Sequence, residues 1–195
     1  MKKIHYIALL MLGLLVTNCN TNDDGFYLNK FVETNGLIVI APHSSTYTLN
    51  EKLYVQASIP RLLSETGQGT QLDLVKTTGA TEFTFSYVIE KQNGTNWDIV
   101  YVANNQLDLV KGSLWNDQYL LAGCDYVAAT DSFEYEVGFP LLSAGTYRLG
   151  FGYNGEATDR VNIRSQSMPA HVILNLNTTV AGLDASGFYN FTVTN

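Results

Sequence analysis

Glu134 and Glu136 stand two residues apart in FEYEVGF. On a strand they share one face, with carboxyl groups roughly 7 Å apart from the strand rise. A carboxylate pair at such a separation is the equipment of a glycoside hydrolase. The plainer reading is a pair of solvated acids on a polar face, since nothing nearby in sequence would desolvate one of them and raise its pKa. Cys124, in YLLAGCDYVAA, is in phase with Leu120, Ala122 and Tyr126. That is how a thiol packed as a small apolar residue would sit, and no His or basic residue lies close in sequence to make it a nucleophile. His43 (in APHSSTY) and His171 (after Pro169) belong to no HExxH motif or close His pair, and the chain has no CxxC, so no zinc spacing is present. A Ser-His-Asp site does not require proximity in sequence, but no G-x-S-x-G elbow singles out a serine. TGQGT lacks the glycines and the following helix of a phosphate loop. No catalytic residue, metal or cofactor is expected.

Aromatic residues give the one binding signal. Trp115 and Tyr119, in GSLWNDQY, fall outside any clear strand pattern and flank Asn116, Asp117 and Gln118. Aromatic platforms beside amides and acids suit sugar rings, which offer C–H faces and hydroxyls. The alternative is a Trp folded back as a lid on the core, in keeping with the high average burial of that residue.

At the start of the chain, Lys2 and Lys3 precede ten apolar residues from Ile7 to Val16. This block is shorter than the roughly 20 residues needed to span a bilayer and has the form of a secretory leader. Cys19 follows in Val16-Thr17-Asn18-Cys19, and two acids, Asp23 and Asp24, come soon after. This arrangement resembles bacterial lipoprotein signals, and the acids resemble the export signal of Bacteroidota surface lipoproteins. The resemblance implies lipidation of Cys19, a sorting role for Asp23 and Asp24, and a lipid-anchored outer-membrane location, on the cell surface. Several acyl chains at about 0.8 kcal/mol per buried CH₂ would anchor stably. The implied organisation is a signal peptide over 1–18, a lipidated tether over 19–35 and one folded domain over 36–195.

Composition agrees with one folded unit: 195 residues, 46% hydrophobic and 15% charged. The net charge is −7, and loss of Lys2 and Lys3 with the leader would make it two units more negative. Such a surface repels phosphate backbones, so nucleic acid is excluded as a partner. With Cys19 acylated, Cys124 has no partner for a disulfide.

The elements that must position these residues are strands. Apolar residues recur with period two in FTFSYVIEK, FEYEVGF and TYRLGFGY, and more weakly in GLIVIAP, KLYVQASI, QLDLVK, DIVYVAN, YLLAGCDYV, RVNI, HVILNL and GFYNFTVT. No helix is expected after the leader. The Asn-Gly of QNGTN predicts a hairpin joining FTFSYVIEK to WDIVYV. The repeat LDLVK, at Leu72 and Leu107, reads as chance. Strands with one apolar face require cover, and two packed antiparallel sheets provide it. The expected fold is an all-β, antiparallel two-sheet β-sandwich.

Leu142, Gly145 and Tyr147 in FEYEVGFPLLSAGTYRLGF resemble the corner between strands E and F of immunoglobulin-like domains, with Ser143 where Asp is usual and Leu149 where antibody domains carry a disulfide Cys. The resemblance implies an immunoglobulin-like sandwich in which Tyr147 is buried and its hydroxyl bonds to backbone around Phe139 to Leu142. Arg148 then points to the opposite face, where truncation would cost within roughly 0.5 kcal/mol. The functional expectation is a surface-anchored, non-catalytic interaction or structural module, whose partners are the membrane, through its lipid, and a protein or glycan. The alternative is a glycan-binding accessory protein of an outer-membrane uptake system.

Overall fold

The computed structural model describes residues 27–65, 67–151, 160–166 and 169–195. The leader, Cys19, Asp23 and Asp24 lie outside them. Among the described residues the chain forms β1 (Leu28–Asn35), β2 (Ile38–Ala41), β3 (Thr46–Thr48), β4 (Lys52–Pro60), β5 (Leu62–Ser64) and β6 (Gln71–Asp73). A short helix, α1 (Leu74–Thr78), precedes β7 (Glu82–Asn93), β8 (Asn96–Ile99), β9 (Asp108–Lys111), β10 (Ser113–Asn116) and β11 (Leu120–Val127). β12 (Ser132–Pro140), β13 (Gly145–Gly150), β14 (Arg160–Gln166), β15 (Val172–Thr179) and β16 (Phe188–Thr194) complete the fold.

The protein is all-β, as its alternation requires. Phe83, Phe85, Tyr87 and Ile89 of β7 are buried, as are Phe133, Tyr135, Val137 and Phe139 of β12 and Tyr147 and Leu149 of β13. One core joins them: Phe85 packs edge-on against Tyr135, and the hydroxyls of Tyr87 and Tyr135 meet at 2.8 Å. The Asn-Gly hairpin forms as expected, with Asn93 opposite Asn96 and Gly94 at φ 62° in the first of two loop positions.

The arrangement differs from two separate antiparallel sheets. Fourteen strands form one continuous mixed sheet that curls around the core, and β5 and β6 form a small ribbon beside it. β7 is the joint: residues 82–87 pair with β11, whereas residues 88–91 pair with β13 and residues 90–93 with β8. Two pairings are parallel, β1 with β15 and β16 with β3. Period-two alternation is the same in parallel and antiparallel strands, so sequence cannot reveal orientation.

Two local expectations are corrected. Residues 28–35, read as tether, form edge strand β1; only Val32 and Thr34 turn inward, so its sequence is polar enough to resemble a linker. The first LDLVK is not a strand but the end of β6 followed by α1. Asp73 caps this helix by accepting from the Lys76 N–H at 3.0 Å, and Gly79, at φ 67°, closes it. The second LDLVK runs into Gly112, at φ 75°, directly after Lys111, and forms strand β9 on β12.

Candidate functional site

The register of six neighbouring strands fixes one outward row. Phe31 on β1 stands beside Asn175 on β15, then come Arg164 on β14, Thr84 on β7, Gly123 on β11 and Ser113 on β10. Their chain neighbours Val32, Leu174, Ile163, Phe83, Phe85, Ala122 and Cys124 are buried in the core, so this row faces away from it. Five ladder steps make it about 24 Å long, measured along the sheet.

A groove opens in this face where β7 changes partners. β14 pairs with β7 only over Arg164–Gln166, and β7 pairs with β13 from Val88 onward. The opening holds about 350 Å³ and is walled by Phe31, Leu121, Thr84 and the polar side chains of Asn162, Arg164, Gln166 and Asn175. Phe31 is 67% exposed, whereas Asn175 is only 7% exposed. The amides are oriented by the sheet. Asn162 donates to Asn177 Oδ1 at 2.8 Å, Gln166 to Thr84 Oγ1 at 2.8 Å and Asn175 to the Lys30 carbonyl at 3.4 Å. Each uses one of its two N–H groups in this way, and the three side-chain carbonyl oxygens remain as acceptors.

Trp115, predicted as a contact or a lid, belongs to β10 and is 51% exposed, so it does not cover the core. It pairs with Leu121, a wall of the groove. Its ring lies across Gly123, with Cζ3 3.1 Å from where a Cβ on that glycine would stand. Ser113 Oγ, donating to Glu82 Oε1 at 3.0 Å, lies over the same glycine. Tyr119 is not brought beside Trp115 in this way. It closes the β10–β11 hairpin and lines a separate shallow cleft with Ile99, Tyr101 and Leu120.

The residues considered for catalysis lie apart from the groove between β7 and β14. Glu134 is not solvated as expected: it is 7% exposed and paired with Lys111 Nζ at 2.6 Å, and Thr130 and Ser132 donate to it at 2.6 and 2.9 Å. The Lys111 ammonium, followed by these hydroxyls, holds its carboxyl down at about 2. Glu136 accepts from Gln56 Nε2 at 3.0 Å. Burial, above all, raises the pKa of the Cys124 thiol, which is fully enclosed. His43 and His171 are exposed, His43 edge-on to Tyr189 and His171 stacked on Tyr27. Among the described residues no three His, Cys, Asp or Glu side chains gather where a metal ion could bind, and no helix is long and apolar enough to cross a membrane.

Sequence reasoning missed the groove. Its amides alternate with Leu174 and Leu176 in HVILNLN and with Val161 and Ile163 in RVNIRSQ, so polar faces on two successive strands were visible. Their union with Phe31 depends on the parallel pairing of β1.

No family model matches this chain, and neither does any curated protein. Among solved structures the chain is similar to the human F-spondin reeler domain (fragment 1), at 10% sequence identity. The match covers 90% of this chain and 100% of that one, with a TM-score of 0.35.

Proposed function

We propose that this chain is a non-catalytic interaction module, anchored at the cell surface through a lipid on Cys19, and that it contacts its partner with the outer sheet face running from Phe31 to Trp115. We read the curled sheet as a sandwich whose immunoglobulin-like corner is at Tyr147. The observation that carries the binding role is the groove between β7 and β14, where an exposed aromatic ring and three oriented amides surround about 350 Å³ of open space. The state of the acids and the thiol supports a role without catalysis. A general acid needs a raised pKa, but Glu134 is held low, and the buried thiol of Cys124 is far from a thiolate.

A glycan as the partner, and with it the role of accessory protein to an outer-membrane uptake system, is favoured by the same wall. Planar amide acceptors match sugar hydroxyls, and exposed Phe31 and Trp115 offer faces to sugar C–H groups. Binding of the full chain to a glycan array tests this. Phe31→Ala and Trp115→Ala should weaken binding, whereas Leu109→Ala and Val110→Ala, exposed apolar positions on β9, should not. Equal loss in all four, or in none, would remove the face from the account. Anchoring is tested separately: Cys19→Ala should leave the membrane fraction or remain uncleaved, and replacing Asp23 and Asp24 by Ala should reduce protease accessibility on whole cells. A Cys19→Ala variant that still matures and partitions with membrane would contradict the anchor.

A further inference from the structure

Four arginines are described, and three of them are ion-paired: Arg61 with Asp73, Arg148 with Glu90 and Arg160 with Glu33, at 2.8, 2.6 and 2.7 Å. Arg164 is the exception. Its cross-strand neighbours are Asn175 and Thr84, and among the described residues no carboxylate is a wall of the groove it lines. An unpaired guanidinium in the wall of a groove is unusual in a chain of net charge −7, where acids outnumber bases and surface arginines readily find a partner. The same groove presents the carbonyl oxygens of Asn162, Asn175 and Gln166 as acceptors, one N–H of each amide being engaged by the protein. The walls therefore suit a ligand rich in hydroxyls that carries one planar anion.

We infer that the groove takes an acidic saccharide, a sugar chain bearing uronate-type carboxylates. Arg164 clasps one carboxylate through its paired N–H groups, the three amide oxygens accept from ring hydroxyls, and Phe31 lies against a ring face. A guanidinium matches a carboxylate bidentately, which gives orientation as well as attraction. This inference rests on the glycan reading above and adds the charge of the ligand. An acidic peptide would satisfy Arg164 as well, but it lacks the dense ring hydroxyls, each both donor and acceptor, that the three amides match.

The test uses the full chain on an array of uronate oligosaccharides, each paired with its carboxyl-reduced neutral counterpart, plus an Asp/Glu-rich peptide. The wild type should bind the acidic member of a pair about tenfold to a hundredfold tighter than the reduced member, with affinity falling as salt rises. Arg164→Gln should abolish that difference, and Arg164→Lys, which keeps the charge but not the fork, should restore only part of it. Arg164 is exposed, so an unchanged urea midpoint will show that each variant is folded. If acidic and reduced members bind alike and Arg164→Gln changes nothing, this inference is overturned and the glycan reading stands. Binding to the peptide alone overturns both, as does binding to no member.

Discussion

Arg148 Nε donates to Glu90 Oε2 at 2.6 Å across the β13–β7 ladder, and its guanidinium lies 4.4 Å from the ring centre of Trp97 and 4.0 Å from that of Phe188. The phase read from the sequence is right, since Tyr147 is inward and Arg148 outward. The small cost expected for truncating Arg148 is not. The outer face here is covered by two rings, and the arginine is their filling.

Arg148→Ala is accordingly expected to lose about 1–3 kcal/mol, from an ion pair shielded from solvent and two cation–π contacts. Tyr147→Phe should cost less, about 0.5–1.5 kcal/mol. It removes the two hydrogen bonds of the hydroxyl, to the Ser143 carbonyl at 2.7 Å and with Ser143 Oγ at 2.8 Å, and keeps the stack on Phe191. Urea melts of both variants compare them directly. A loss within 0.5 kcal/mol for Arg148→Ala would mean that the stack does not hold in solution.

The corner shows what a sequence can carry. Tyr147 is buried and bonds back to backbone as its resemblance implied, but to Ser143, one residue beyond the expected stretch. Ser143 Oγ also meets the hydroxyl, at 2.8 Å. A corner is local, set by a handful of consecutive residues, and so it was legible. The groove is not local: Phe31 and Asn175 are neighbours only because β1 lies parallel to β15. Nothing within LNKFVETN announces that pairing. The two copies of LDLVK make the same point in reverse. The match in fact extends to six residues, from Gln71 and from Gln106, yet the copies fold as helix and strand because Gly79 and Gly112 stop them at different distances and β12 recruits only the second. Tertiary context outweighs propensity over so short a segment.

Gly112→Ala should be among the most damaging single changes. Its φ of 75° is unfavourable for a residue with a Cβ, and that Cβ would collide with the Gly123 carbonyl oxygen and come within 2.9 Å of that of Glu134. Neither backbone can yield without breaking the β10–β11 and β11–β12 ladders. A loss of at least about 2 kcal/mol is expected by chemical denaturation. A variant as stable as wild type would show that β9 and β10 do not join as described.

Stability should also depend on Glu134 in acid. Its folded pKa, about 2, lies below its ordinary value of 4.5, chiefly because of Lys111. Its contribution is therefore present above pH 4.5 and is lost as pH falls toward 2. Glu134→Gln should be less stable than wild type at pH 7, by on the order of 1–2 kcal/mol for charge-assisted hydrogen bonds at a buried site. That gap should close between pH 5 and pH 2, judged from urea midpoints measured across the range. A gap unchanged by pH would assign the loss to packing and not to charge.

Gly123→Ala probes the platform under Trp115. The new methyl would strike Ser113 Oγ and Glu82 Oε1 and press on the indole. These are side-chain atoms, so the sheet should survive while the ring lifts from it. A shifted Trp emission with a modest loss of stability is expected; unchanged emission would place the ring elsewhere.

The most direct test of the binding face is two-dimensional NMR of the full chain, titrated with the tightest-binding saccharide of the array and observing side-chain N–H groups. The largest shifts should fall on Arg164 Nε–H and on the amides of Asn162, Asn175 and Gln166, with Trp115 responding through Leu121. Shifts confined to the cleft beside Tyr119, or to Gln56 near Glu136, with the β14 and β15 amides unmoved, would contradict the binding face.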